Sequence, residues 1–152
     1  MSNNTDCSAT TPLSDPWDLE YKVWDLDRRA RDLLQTIQTC HESIKITTAQ
    51  VLRSRQDSAR YSDQYKWVYK IQIELDHERE VERLEKAHHE LVKESLAIRE
   101  EVDFNDGQLL RMIRGVEELI AEVGERAKAA RRSLEEGRSV VDEGRYAKGD
   151  VR

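Results

Sequence analysis

The chain has 152 residues, of which 38% are hydrophobic, 37% are charged and one is phenylalanine, with a formal net charge of −6. That length suits one domain, and that composition suits long helices with narrow apolar seams better than a thick enzyme core. Residues 1–60 hold 8 basic and 9 acidic side chains, residues 61–103 hold 7 and 12, and residues 104–152 hold 10 of each, so no segment has the basic excess that would favour nucleic acid or an anionic membrane surface.

The two cysteines, Cys7 and Cys40, make no disulfide framework. The N-terminus, MSNNTDCSATTPLSDP, lacks the charged-then-apolar order of a secretion signal. No apolar run approaches the roughly 20 residues a membrane span needs. These features point to the cytoplasm or nucleus, where the Asn3-Asn4-Thr5 sequon would stay idle.

Residues 1–14 are rich in Ser, Thr and Asn and are expected to be a disordered tail. A helical domain is expected over 15–136. Asp15-Pro16-Trp17-Asp18 reads as a helix start: Asp15 can cap, Pro16 suits the first position and Asp18 suits the first turn. From Leu26 onward Ala30, Leu33, Ile37, Cys40, Ile44, Thr47 and Val51 recur at alternating four- and three-residue steps, the spacing of a single stripe on a helix. A first helix is expected over about 16–55. The stripe weakens to Ser54 and Ser58 in the polar run 54–64, where a turn near 56–63 competes with one continuous helix.

Residues 66–75, KWVYKIQIEL, alternate as a strand does, yet also suit a helix that is apolar on most sides. The nearest strand partner would be SIKIT (43–47), and an isolated two-stranded pairing is marginal. Helix is the favoured reading, giving a second helix over about 64–103. Its stripe is Val81, Leu84, His88, Leu91, Ser95, Ile98 and Val102, with a change of phase from the first series within Asp76–Glu80.

DFNDG (103–107) is the strongest turn signal in the chain. Leu109, Met112, Val116, Leu119 and Val123 then form a third stripe, widened by Leu110, Ile113 and Ile120. Such width favours contact with two neighbours. The third helix is expected over about 108–136, with Gly115 and Gly124 weakening it by about 1 kcal/mol each relative to Ala. From Gly137 to the end a flexible tail is expected. The fold class is therefore all-α, an elongated antiparallel bundle of about three heptad-patterned, coiled-coil-like helices with disordered tails.

Trp17, Tyr21 and Trp24 are spaced to share a helix face. They either pack over the end of the bundle or anchor a protein partner, since Trp and Tyr dominate interface hot spots. Cys40, His41 and His77 come together if the first turn centres near Ala59, but no paired-ligand spacing supports a metal site. His88 occupies a seam position, where a polar residue commonly sets register or responds to pH. Arg126, Lys128, Arg131 and Arg132 would offset the dipole at the end of the third helix. The carboxylates of 77–94 alternate with cations, as on a solvated face. No nucleophile elbow, P-loop or dinucleotide fingerprint occurs. No catalytic residue, cofactor or metal is assigned.

The expected function is a non-enzymatic coiled-coil subunit or scaffold, joined to a protein partner or to itself through helical seams. The alternative is a self-contained regulatory bundle that exposes its aromatic helix face to a partner.

Overall fold

The computed structural model of the protein describes residues 16–57 and 76–150, with side chains described over 18–53 and 76–139. Pro16 opens α1 (Pro16–Asp57), with Asp18 in the first turn where negative charge offsets the helix dipole. The expected cap Asp15 lies outside the described residues. Leu19, Val23, Leu26, Ala30, Ile37, Cys40, Ile44, Thr47 and Val51 are buried, so the stripe read from Leu26 extends back to Leu19. Thr47 tolerates burial because its hydroxyl donates to the Ser43 carbonyl at 2.9 Å.

The helix α2 (Glu78–Glu101) buries Val81, Leu84, Leu91, Ser95 and Ile98. Ser95 satisfies itself by donating to the Val92 carbonyl at 2.9 Å. The expected change of phase within Asp76–Glu80 coincides with residues 76–77, which are wound as π-helix, a local insertion that turns a helix face. His77 is buried one step ahead of Val81 and belongs to the same seam. Of the turn expected near 56–63, residues 56 and 57 are helical; the rest of it, the second helix before Asp76 and the stretch 66–75 lie outside the described residues. SIKIT, the one candidate strand partner, is part of α1.

The α2–α3 turn is built by two aspartates. The Asn105 N–H donates to Asp103 Oδ1 at 3.0 Å, and the Leu109 N–H donates to Asp106 Oδ1 at 3.0 Å, which makes Asp106 the N-cap of α3 (Gly107–Asp150). No described glycine has a positive φ, so side-chain acceptors make this turn. Among the described residues only 102–106 are not helical, and none is in a strand.

The α3 face has the width expected of it. Its seam runs Leu109, Ile113, Val116, Ile120, Val123, Ala127, Ala130 and Leu134, with Met112 and Leu119 only half-buried on its flank. The helix also continues past Gly137 to Asp150, where a flexible tail was expected. Gly137 is buried in the helix, Leu134 just before it is fully buried, and Arg138 just after it pairs with Glu78. These contacts outweigh the cost of about 1 kcal/mol for one helical glycine.

The three helices pack on one another, with α2 antiparallel to both others and α1 parallel to α3. Lys22 meets Glu101 at 3.8 Å and Arg29 meets Glu94 at 2.6 Å across α1–α2. Arg99 meets Glu117 at 2.5 Å across α2–α3. One half of the core gathers large aliphatics around Leu26, Leu91 and Ile113. The other gathers Ile37, Ile44, Leu84 and Leu134 with Cys40, Ala127 and Ala130.

Candidate functional site

Tyr21 and Trp24, near the start of α1, stand outside the buried core. Tyr21 is 62% exposed and Trp24 is 56% exposed, because they project opposite the seam made by Leu19, Val23 and Leu26. Their ring centroids lie 6.1 Å apart at 37°, and the Arg28 guanidinium sits 5.6 Å from the Trp24 ring centre, within cation–π range. Asp25 holds Arg28 at 3.1 Å and Arg29 at 3.0 Å. Trp17 lies in the first turn of α1, with its side chain outside the described ones. At the same end of the bundle, Phe104 in the α2–α3 turn is 90% exposed.

The Cys40, His41 and His77 group separates. Ser43, two residues along from His41, faces His77, with 3.3 Å between Ser43 Oγ and His77 Nε2. His41 is half-buried elsewhere on α1, and burial, followed by Lys45, lowers its pKa. Cys40 and His77 instead line a cleft of about 780 Å³ between α1 and the start of α2, together with Ser43, Asp76 and Glu80. Burial pushes the Cys40 thiol up to about 11, assisted by Glu80 and opposed by Arg83. Among the described residues, no group of three or more His, Cys, Asp or Glu is placed to hold a metal ion.

His88 forms a joint that the spacing alone did not reveal. Its Nε2 lies 3.1 Å from the Ile120 carbonyl oxygen and donates to it. A Cβ at Gly124 would stand 2.8 Å from that nitrogen, so this glycine admits the imidazole against α3. Gly115 has open space where a Cβ would go. Burial lowers the His88 pKa, the Ile120 carbonyl opposes the shift, and His89 and Lys128 reinforce it.

The basic group on α3 is also reassigned. With the helix continuing to Asp150, Arg126, Lys128, Arg131 and Arg132 are not at its end and do not offset its dipole. Arg131 grips Glu85 of α2 through two nitrogens, at 2.6 and 3.2 Å, and lies 3.8 Å from Glu78. It is a fork-shaped clamp between helices.

Comparison with known proteins finds no matching family model, no matching curated protein and no matching solved structure.

Proposed function

We propose that the protein is a non-enzymatic interaction subunit of a helical assembly, acting in the cytoplasm or nucleus. The outer face of α1 at Tyr21 and Trp24, with Trp17 as its third member, receives a protein partner. The observation that carries this reading is the exposure of two large aromatic rings on the face turned away from the bundle. Neither ring contributes to the buried seam. Both are of the kind that dominates binding energy when a partner desolvates them. The acidic balance of the chain argues for a protein partner over nucleic acid or an anionic membrane.

The test is affinity purification of the tagged protein from its native cells, beside the Tyr21→Ala/Trp24→Ala double variant. A stoichiometric helical partner that co-purifies with the parent and is lost from the variant is the expected result. Helical content should be unchanged, because truncating exposed side chains shifts stability by only about 0.5 kcal/mol. A partner retained by the variant would remove the aromatic face from the reading. Recovery of an isolated monomer would favour the self-contained regulatory bundle.

A further inference from the structure

We propose that the partner of the aromatic face is a second copy of this chain, whose groove between α2 and α3 seats Tyr21 and Trp24. This rests on the reading of that face as an interaction surface and names its occupant. The groove is walled by α2 and α3 alone. It holds a depression of about 330 Å³ lined by Val92, Ser95, Leu96, Ile120, Ala121 and Gly124, beside the His88 joint. Leu96 is 55% exposed and Ala121 is exposed as well, so among the described residues this apolar surface has no cover.

Ridge and groove have opposite shapes. On α1 two large rings stand out together from a convex helix face. On α3 the depression lies over Ala121 and Gly124, which bring little bulk, so a ring can enter between the two helices. An aromatic side chain buries about 150–250 Å² when it is covered, and Trp and Tyr fill such holes at the centres of interfaces.

Charge selects a second copy as the occupant. Glu117 and Glu125 line the depression, and Glu118, exposed three residues before Ala121, shares its side of α3. Lys128, also in the lining, is tied to Glu125 at 3.5 Å. On α1, Arg28 and Arg31 carry the face on from Trp24 in steps of four and three residues. Their bonds to Asp25 and Asp27 are exposed pairs within one helix. Such pairs hold weakly and leave both guanidinium groups able to reach a second carboxylate. Because carboxylates stand on both sides of Ala121, Arg28 meets one whichever way the second α1 lies in the groove.

Arg29 pairs with Glu94, and Arg99 with Glu117, which sets ridge and groove at the same height on opposite sides of the bundle. A contact between two different surfaces leaves each copy with a ridge or a groove to spare. Copies therefore add side by side into a row or ring and do not stop at a pair.

The experiment is sedimentation velocity of the purified full chain over a range of concentrations. The parent should form species larger than a dimer as concentration rises. The Tyr21→Ala/Trp24→Ala variant lacks the ridge, and Ala121→Arg fills the depression with a long cation that opposes Arg28. Each alone should sediment as a monomer. Mixed in equal amounts, they should form a one-to-one dimer and nothing larger, because one still offers a groove and the other a ridge. Leu96→Lys, on the α2 wall, is a second chain with a blocked groove. All these changes fall on exposed side chains, so helical content and melting should match the parent's. Glu118→Gln/Glu125→Gln should weaken association roughly threefold to tenfold.

A parent that stays monomeric, a ridge-less chain that stays monomeric beside both blocked ones, or undiminished association of the glutamine variant would each overturn the proposal. A monomeric parent whose cellular partner is nevertheless lost with Tyr21 and Trp24 would overturn it and leave the aromatic-face reading standing, so the two failures are distinguishable.

Discussion

The two halves of the bundle are held by different means. Around the α2–α3 turn, the helices meet through large aliphatic side chains: Leu19, Leu26, Leu91, Ile98, Leu109 and Ile113. Farther along, the small side chains Ala127, Ala130 and Cys40 stand among Ile37, Ile44, Leu84 and Leu134, and polar joints reach further into the seam. Arg131 grips Glu85, Arg138 pairs with Glu78, His77 meets Ser43, and His88 enters the notch at Gly124. The first kind of packing is tolerant of geometry and strong per residue. The second requires particular partners on facing helices, and its groups are costly to bury unpaired.

The comparison can be broken most forcefully at Ile113, which has 0% exposure. Ile113→Ala should cost about 2–5 kcal/mol through lost burial and a residual cavity, measured by urea unfolding. A small loss would mean that the aliphatic half is less tightly packed than described.

Next in size is Gly124→Ala. Helix propensity alone would favour it by about 1 kcal/mol, but the new methyl meets the His88 ring at 2.8 Å, and displacing that ring costs about 1–3 kcal/mol. A net loss of stability is expected, and it should largely vanish when His88 is also changed to Ala. An additive pair of losses would show that the notch is not what sets the cost.

Gly115→Ala has the opposite sign. Its Cβ meets open space, so the change should stabilise by up to about 1 kcal/mol. Two glycines nine residues apart on one helix thus respond in opposite directions, and equal responses would erase the distinction.

The smallest effect sharpens the comparison by pH. Burial holds the pKa of His77 and that of His88 below the ordinary histidine value, so the unfolded chain binds these protons more readily than the folded one. The stability associated with the neutral rings is present above about pH 6.5 and is lost as pH falls through that value toward the depressed folded ones. Denaturation midpoints should therefore drop on acidification, and His88→Asn should reduce the drop. A midpoint independent of pH in the parent protein would contradict the burial of both rings.

How much of this was legible depended on whether one helix carried the whole signal. The α1 stripe from Leu26 to Val51 was readable because its apolar residues stand alone among charges. In α3, two apolar stripes lie one residue apart, Leu109–Met112–Leu119 and Leu110–Ile113–Ile120. Only the neighbouring helices decide how each is used, and they bury Leu109, Ile113 and Ile120 while leaving Met112 and Leu119 on the flank.

The His77–Val81–Leu84 spacing continues the α2 series and could have placed His77 in the seam. The role of Gly124 could not be read, because it depends on a ring 36 residues earlier in the chain. The end of α3 was misplaced at Gly137 because helix propensity is local, whereas Leu134 and Arg138 hold that turn through other helices. For the aromatic face, the spacing showed which residues share a side of α1 but not whether that side faces the bundle. Exposure of Tyr21 and Trp24 decided it.

Cys40 gives the molecule a built-in clock. Its thiol is buried and pushed up to about 11, so near neutral pH it carries almost no thiolate, the form that attacks disulfide reagents. In a Cys7→Ser background, the rate of thiol labelling would then report how often the seam between α1 and α2 opens, without any label placed in advance. Because Cys40 also lines the α1–α2 cleft, any molecule seated there would slow the same clock, and residence in the cleft becomes readable as a change in reaction rate.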